Sequence, residues 1–405
     1  MTVLDRFLKY VKIDTQSSPA NEASLPSSEK EFNLGKLLES ELKELGAHDV
    51  VCDENCYVYG FIPASKGYEA APKVGFIAHM DTSPDFSGKD VVPIVTENYD
   101  GNDVTLNGKT LTVRDFPHLK KLRGRTLITA DGTTLLGADD KAGIAEIMTL
   151  VSDITESCEP HGRIAVCFTP DEEIGNGTCG FDLKRFGCDF AYTVDGGEEG
   201  EIVYENFNAA QAVFKINGVN VHPGSAKNIM VNAALVASEI NSMLPSADIP
   251  RLTEGYEGFY HLCRIEGDAE HAESTYIVRD HDQGLFESRL TLLRHIAKTL
   301  NEKYGENTVE LSVTEQYRNM KEKITPCFHI VEAAFSAIRK AGIEPVVEPI
   351  RGGTDGARLS FMGLPCPNLG TGGYAFHGPF EHITKEGMEK SVEILKNIVR
   401  ITASN

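Results

Sequence analysis

The sequence has no long hydrophobic run, no excess of positive charge and no C-x-x-C cysteine pair, and each absence excludes a class of protein. No apolar stretch of the 405 residues approaches the length needed to cross a bilayer. The amphipathic amino terminus, MTVLDRFLKYVKIDTQSS, lacks the basic head and uninterrupted apolar run of a signal peptide. The nine cysteines are scattered without a C-x-x-C pair, as in reduced cytosolic proteins. We therefore expect a cytoplasmic protein without a membrane span.

The charge balance and the lack of nucleotide motifs exclude further partners. A formal charge of −21 argues against nucleic acid and against an anionic membrane, because both bind basic faces. No G-x-G-x-x-G directly follows a predicted strand, and neither a full G-x-x-x-x-G-K-[ST] loop nor a G-x-S-x-G elbow occurs. Nucleotide-binding and serine-hydrolase functions are therefore disfavoured. Small anionic substrates, which need only a local basic pocket, stay open.

What the sequence does contain is an alternation of apolar strands and amphipathic helices. Strands are predicted at KVGFIAHMDT (73–82), RIAVCFTP (163–170) and FAYTVDGG (190–197), each an apolar run that ends in polar residues. Apolar stripes predict helices at 32–46 and 141–154. This order indicates an α/β domain, with a mostly parallel sheet and helices on both faces. In such sheets, ligands bind beyond the carboxyl ends of the strands.

The middle of the chain has a different pattern. Between residues 208 and 319, four segments alternate like antiparallel strands, and helical patterns at 229–244 and 284–303 separate them. After this stretch the α/β pattern resumes and ends in an amphipathic helix. We therefore predict one discontinuous catalytic-type domain, residues 1–207 and 320–405. A smaller α+β domain, residues 208–319, interrupts it.

Two motifs offer the first candidate metal ligands. In AHMDT, His79 and Asp81 are two residues apart and point to the same side of a strand, which would let Asp81 orient the imidazole. A hydrogen-bonded polar pair at a strand end is the alternative. In LLGADDKAGI, Asp139 and Asp140 precede a helix, where a carboxylate serves equally well as a helix cap or as a bridge between two cations. Each motif alone leaves its structural alternative open.

Adjacent glutamates, a further aspartate and a late histidine extend the set. In FTPDEEIGNG, Glu173 as a ligand and Glu172 as a general base would explain the neighbouring carboxylates, although a solvated acidic turn has the same sequence. Asp195 ends the strand in YTVDGG, and His377 precedes the terminal helix, where a lone histidine is more often structural. Together, histidines and carboxylates without cysteine suit a pair of divalent cations such as Zn²⁺, with Mn²⁺ or Co²⁺ as substitutes.

In their order these motifs resemble those of the co-catalytic zinc metallopeptidases, the family that contains carboxypeptidase G and succinyl-diaminopimelate desuccinylase. The matching stretches run along nearly the whole chain: IAHMDTSPDFSG, LLGADDKAGIAEI, FTPDEEIGNG, VHPGSAK, YIVRDHD, RGGTDGARLS and LGTGGYAFHG. Within the family they are most similar to the tripeptide aminopeptidases. The resemblance implies a metal-dependent aminopeptidase that releases the N-terminal residue from tripeptides and holds two Zn²⁺ ions per subunit.

The resemblance also implies a role for each candidate. It makes Asp140 the bridge between the two zinc ions. His79 and Asp195 would complete one site, and Glu173 and His377 would complete the other.

Two further residues complete the implied mechanism. Asp81 would orient His79, and Glu172 would be the base that acts on the metal-bridging water. Zinc lowers the pKa of bound water toward about 7, so a nearby carboxylate can take the proton. Metal ligands fix the reaction and not the substrate, so cleavage of a dipeptide, an acyl-amino acid or a C-terminal residue stays an alternative. A non-catalytic binding protein of the same fold is another, although it has no use for Glu172.

The inserted domain is, by resemblance, a lid that supplies contacts to a small peptide substrate. His222 could hold the oxyanion or a substrate carboxylate, and the planar fork of Arg279 suits a terminal carboxylate. An ion pair of Arg279 with Asp280 or Asp282 is the structural alternative. Arg351 is a second candidate for the carboxylate, with bracing of a glycine-rich loop as its alternative. Relatives dimerise through this domain, so a homodimer is one expectation.

Overall fold

The computed structural model describes residues 1–157 and 159–404, which form two compact units. The larger unit comprises Met1–Tyr204, Glu322–Glu348 and the chain from Thr354 onward. The smaller unit comprises Glu205–Lys321 and Pro349–Gly353. The second segment of the smaller unit contains Arg351, which the predicted boundaries assign to the other domain.

The described residues form the following strands and helices. The strands are β1 (His48–Cys52), β2 (Val58–Ile62), β3 (Val74–His79), β4 (Ile94–Thr96), β5 (Val104–Leu106), β6 (Lys109–Leu111), β7 (Leu127–Thr129), β8 (Ile164–Thr169), β9 (Phe190–Val194), β10 (Ile202–Val203), β11 (Asn208–Asn217), β12 (Phe259–Gly267), β13 (His271–Asp280), β14 (Val309–Tyr317), β15 (Asn368–Leu369), β16 (Gly373–Tyr374) and β17 (His382–Thr384). The helices are α1 (Val3–Tyr10), α2 (Glu31–Glu44), α3 (Ala138–Glu156), α4 (Leu183–Phe186), α5 (Ala233–Ser242), α6 (Gln283–Tyr304), α7 (Lys321–Ile324), α8 (His329–Lys340), α9 (Asp355–Met362) and α10 (Lys385–Ala403).

A seven-stranded sheet in the order β1-β2-β8-β3-β9-β15-β10 forms the centre of the larger unit. The four strands β8, β3, β9 and β15 run parallel, whereas β1, β2 and β10 pair antiparallel at the two sides. Every residue of β3, β8 and β9 is buried, as the near-continuous apolar runs of these strands require. The helix α3 packs against β3 and β9, and α4 packs against β2 and β8. The predicted α/β class with a mostly parallel central sheet is confirmed.

A second, smaller sheet in the larger unit has the order β16-β17-β7-β4. Its strands are two or three residues long, too short for a periodic sequence pattern to predict them. In the antiparallel pair of β7 and β17, His382 lies opposite Thr129. The segment that follows β7 and the segment that precedes β17 therefore leave the sheet at the same end. This pairing brings the turn before α3 close to the loop that carries His377.

The smaller unit is an antiparallel sheet in the order β12-β13-β11-β14, with α5 and α6 packed on it. Alternate residues of β11 are buried over its second half, as expected of a strand with one solvated face. Its core combines apolar side chains of the sheet and of both helices, including Phe214, Ile240, Tyr276 and Leu293. Among the described residues, none of the helices combines the length and the apolar character that crossing a membrane requires.

Candidate metal centre

Three buried strands bring most of the predicted ligands to one edge of the large sheet. The strand β3 ends at His79, β8 leads into the short turn that holds Glu172 and Glu173, and β9 is followed by Asp195. Because β3 lies between β8 and β9 and runs parallel to both, the carboxyl ends of all three strands meet at the same edge. This is the edge at which open α/β sheets bind their ligands.

His79 belongs to a first group of side chains that could hold a metal ion. One atom each of His79, Glu172 and Asp195 lie within 4.8 Å of one another, and Nε2 of His79 is 3.8 Å from Oδ1 of Asp195. The Nδ1 of His79 lies 3.0 Å from the carbonyl oxygen of Asp81 and 3.3 Å from its Oδ1. Since Nδ1 is engaged there, Nε2 is the ring nitrogen that faces the carboxylates. His79 is 2% exposed, so this orientation is held on all sides.

A second group lies beside the first and contains Asp139. One atom each of His79, Asp139 and Glu173 lie within 4.8 Å of one another. Oδ1 of Asp139 is 2.8 Å from Nε2 of His79, and Oδ2 of Asp139 is 3.1 Å from Nε2 of His377. That same nitrogen of His377 is 3.1 Å from Oε2 of Glu173. Asp139 therefore turns one oxygen toward each histidine, a position from which it could bridge two cations.

Asp140 does not have this position, so the assignment of the bridge to Asp140 is wrong. Its Oδ2 accepts the backbone N–H of His79 at 3.1 Å, and its Oδ1 accepts that of Gly143 at 3.2 Å. The two aspartates have different, non-helical dihedral angles, φ −85°, ψ 103° at Asp139 and φ −123°, ψ 34° at Asp140, so their side chains diverge. Asp139 faces the cluster, while Asp140 caps the regular part of α3 and holds the backbone beside the cluster.

The carboxylate of Asp81 also binds backbone rather than the imidazole alone. Its two oxygens accept the N–H groups of Glu172 at 3.0 Å and Glu173 at 3.2 Å, which ties the end of β3 to the turn after β8. The preceding acid, Asp171, points elsewhere and accepts the backbone N–H of Ser27 at 2.5 Å. The adjacent acids of DEE are therefore kept apart, with only Glu172 and Glu173 directed at the cluster.

The carboxylates of the cluster carry a high cost of burial. Burial, with the negative charges of Asp355 and Asp195, raises the pKa of Glu172 well above its ordinary value. Burial likewise raises the pKa of Asp195 to about 7. Burial also raises the pKa of Glu173, and its Oε1 is enclosed without a hydrogen-bond partner among the described residues. Oxygens arranged in this way favour a cation between them.

The two histidines mark where positive charge is favoured. Burial disfavours the imidazolium of His79, but Asp195 and the hydrogen bond to Asp139 outweigh it, and the pKa of His79 rises. Hydrogen bonds to Asp139 and Glu173 raise the pKa of His377 to about 11. Burial would raise the pKa of Asp139, yet its bonds to His377 and His79 hold that pKa below the usual range. Imidazole nitrogens and carboxylate oxygens, without thiolates, are the donors of a zinc, manganese or cobalt pair.

Asp355 lies beside the cluster, and the sequence did not indicate a role for it. It begins α9, is buried, and its Oδ2 accepts the hydroxyl of Thr169, the last residue of β8, at 3.3 Å. Burial raises the pKa of Asp355 to about 6, against the opposing effects of His79 and Arg358. The signal for Asp355 was its place in the matching stretch RGGTDGARLS.

Arg279, in the smaller unit, is not paired with its acidic neighbours. Its guanidinium donates to Oε1 of Gln316 at 3.0 Å and to the carbonyl oxygen of Val278 at 3.1 Å, and it stacks over Tyr317. Asp280 pairs instead with Arg289 at 2.8 Å, and Asp282 caps α6. The structural alternative of an ion pair within RDHD is therefore not what holds Arg279.

Arg351 braces the loop at residues 253–257 rather than the glycine-rich loop named as its structural alternative. Its Nη1 donates to the carbonyl oxygens of Gly255 at 2.7 Å and Glu257 at 2.9 Å, and its Nη2 donates to Oγ1 of Thr253 at 2.9 Å. Both terminal nitrogens are thus engaged by the loop that the side chain spans. His222 is exposed, and its Nδ1 accepts the N–H of Gly224 at 3.1 Å. Its proposed substrate contact stays a prediction.

Residues 130–401 match the model of peptidase family M20/M25/M40. The chain belongs to this family. Peptidase T from Alkaliphilus oremlandii is 54% identical over 404 residues, which cover 98% of each chain. Peptidase T from Clostridium acetobutylicum is 53% identical over 405 residues, 99% of each. The metallopeptidase resemblance inferred from the sequence is confirmed, and with it the assignment to an enzyme class, the peptidases.

Solved structures share the fold of this chain. Aminopeptidase PepT from Bacillus cereus superposes with a TM-score of 0.79 at 24% identity, covering 99% of this chain and 98% of that one. The YXEP protein of Bacillus subtilis, a dinuclear metal-binding peptidase of family M20, superposes with a TM-score of 0.66 at 16% identity, covering 100% and 98%. At these identities, the likeness establishes the architecture of the chain.

Proposed function

We propose that this chain is an aminopeptidase that releases the N-terminal residue from tripeptides and depends on two divalent cations. The observation that carries the proposal is the place of Asp139, whose two oxygens face Nε2 of His79 and Nε2 of His377. Full-length similarity to peptidases T at 53–54% identity supports the same reaction.

The proposed ligands form two sets that share one residue. His79 and Asp195 would hold one ion, Glu173 and His377 would hold the other, and Asp139 would bridge them. Oε1 of Glu173 is enclosed and has no hydrogen-bond partner in the described part of the chain, which supports this fit, because burying such an atom is costly unless something binds it. When bound, zinc or a substitute such as Mn²⁺ or Co²⁺ would polarise the scissile carbonyl and lower the pKa of a coordinated water.

Glu172 is the proposed general base. Its backbone is fixed by Asp81, and its carboxylate lies in the first ligand group beside His79 and Asp195. A carboxylate placed within reach of the attacking water would accept its proton and return it to the leaving amine. A binding protein would not require such a group.

Arg279 is the proposed partner of the substrate's terminal carboxylate. Its guanidinium is planar, charged and free of a carboxylate partner within RDHD, because Asp280 is paired with Arg289. An extended peptide advances about 3.3–3.6 Å per residue. A cationic group fixed two residues beyond the scissile bond therefore favours tripeptides over dipeptides and over longer chains.

A hydrolysis panel with metal analysis of the same sample tests the proposal. Di-, tri- and tetrapeptides with free and blocked termini are incubated with purified protein that has been stripped of metal and reloaded with Zn²⁺. We expect two ions per chain and release of the first residue, fastest from tripeptides with both termini free. If N-acetylated tripeptides were cleaved as fast as free ones, or if the last residue were released before the first, the enzyme would cleave an amide bond other than the N-terminal one. No release of any amino acid would leave only a binding role.

Two predictions concern the cellular localisation and the oligomeric state of the enzyme. The scattered cysteines, eight of which are free thiols in the described part of the chain, favour the reducing cytoplasm. A homodimer is the expected assembly by resemblance to relatives, and sedimentation of the purified protein measures it directly.

A further inference from the structure

A buried carboxylate outside the ligand cluster holds the turn that carries Asp139. Glu381 is 1% exposed. Its Oε2 accepts the N–H of Leu136 at 2.7 Å and of Gly137 at 2.8 Å, and its Oε1 accepts the N–H of Asp139 at 3.0 Å. Three backbone donors of one turn thus converge on a single side chain from a segment 242 residues away in the sequence.

The turn needs such a partner because its backbone is irregular. Gly137 has a left-handed conformation with φ +79°, and Asp139 has non-helical dihedral angles, so a regular helical or sheet pattern cannot serve these donors. A buried N–H without a partner destabilises the fold, and a charged acceptor makes a stronger hydrogen bond than a neutral one. Glu381 supplies the acceptors that regular structure would supply elsewhere.

Glu381 is itself fixed close to a second proposed ligand. It lies four residues after His377 and immediately before β17, which pairs with β7 through His382 and Thr129. The segment with His377 and the turn with Asp139 are therefore joined twice, once by the strand pair and once by the carboxylate of Glu381.

We propose that Glu381 is a positioning residue that aims the carboxylate of Asp139 between the two histidines before any metal binds. It would act as Asp140 does at His79 and as Asp81 does at the glutamates, each by binding backbone N–H groups next to a ligand. The inference rests on the proposed metal pair, because the orientation of the Asp139 carboxylate matters for function only if Asp139 binds both ions.

The matched variants are E381Q and E386Q. In E381Q the shape is kept, but an amide has one acceptor oxygen and a donor NH₂ in place of the other. At least one N–H of the turn then faces a donor. Glu386 also accepts a backbone amide, from Thr126 at 2.8 Å, in a segment without a proposed ligand. The same substitution at Glu386 therefore controls for the general cost of losing such a bond.

The first readout needs no metal. Hydrogen exchange of metal-free protein, followed by mass spectrometry of peptides spanning residues 133–141, reports how firmly the turn is held. We expect faster exchange in this segment in E381Q and wild-type exchange there in E386Q. Unchanged exchange in E381Q would overturn the proposal, as would equal loosening of the turn in both variants.

The second readout is the affinity for Zn²⁺, measured by competition with a chromogenic chelator. Loss of a residue that orients a ligand typically weakens metal binding about 10–100-fold. We expect a loss of this size in E381Q and less than about 3-fold in E386Q. Equal affinities of wild type and E381Q would overturn the positioning role alone, whereas failure of wild type to bind metal would overturn the proposed function. Should E381Q not fold, E381D, which keeps the charge but withdraws the oxygens by one methylene, is measured against the same two outcomes.

Discussion

Replacing the two adjacent aspartates one at a time separates a metal ligand from a residue that holds the backbone. D139N and D140N remove one negative charge each and keep the side-chain shape. The contacts of the two residues differ, since Asp139 faces Nε2 of His79 and of His377 while Asp140 accepts the N–H groups of His79 and Gly143. The two variants should therefore fail in different ways.

D139N should lose the metal pair. A neutral amide cannot offer an anionic oxygen to each of two cations, so we expect fewer than two tightly bound ions per chain. Loss of the pair should lower kcat/KM by at least about 10³-fold, which corresponds to about 4 kcal/mol of transition-state stabilisation. The fold should survive, because the neighbouring turn stays bound to Glu381.

D140N should lose stability first. An amide can accept only one of the two N–H groups that Asp140 accepts, so one buried donor faces an NH₂ group. That costs about 1–3 kcal/mol of the free energy of unfolding. Because one of these donors is the N–H of His79, metal affinity should fall about 10–100-fold, while two ions still bind at saturating Zn²⁺.

The assay combines thermal unfolding, metal content after dialysis against a weak chelator, and kcat/KM at saturating Zn²⁺ for each variant. Restoration of activity by excess Zn²⁺ in D140N but not in D139N is the expected pattern. The reverse pattern, with D139N rescued and D140N empty, would refute the assignment of the bridge to Asp139.

Three further predictions concern the base, the substrate and a buried acid. E172Q should keep both ions and lose about 10²–10⁴-fold in kcat, because only the proton acceptor is removed; a loss of metal equal to that of D139N would contradict this role. Wild type should prefer a tripeptide with a free C-terminal carboxylate over its amide, and R279A should lose that preference, whereas R351A should lower stability and keep it. A wild type that cleaves both peptides equally would exclude the carboxylate contact. Glu146 is buried with neither oxygen partnered among the described residues, and burial together with Glu199 raises its pKa. An acid whose pKa is raised by folding contributes its full stabilisation below its unfolded pKa and loses that contribution as the pH rises. Wild type should therefore lose stability between pH 5 and pH 8 relative to E146Q, which has no carboxylate at this position. The Tm of E146Q minus that of wild type should increase over this range. A pH-independent difference would show that Glu146 is not the titrating group.

The strands that carry the proposed ligands could be predicted because their apolar runs are long and unambiguous. In β3, β8 and β9 every side chain is buried, and each run ends where a charged residue begins, which fixes the strand and its functional end together. The parallel order then follows from the helices between them. The convergence of His79, Glu173 and Asp195 was predictable for this reason.

The other parts of the candidate site could not be predicted, because they lie on irregular backbone. The choice between Asp139 and Asp140 depends on dihedral angles that neither helical nor strand periodicity encodes, so spacing alone could not decide it. Glu381 could not be connected to the turn before α3, because the strands that join them have three residues each. The bracing role of Arg351 likewise depends on a loop whose conformation no sequence pattern specifies.

Anomalous diffraction at the zinc edge, from crystals of the zinc-loaded protein, tests the central claim most directly. We predict two peaks that share Asp139, one also bound by His79 and Asp195 and the other by Glu173 and His377. The absence of paired peaks at these side chains, in a crystal that holds zinc at full occupancy elsewhere, would contradict the proposed centre.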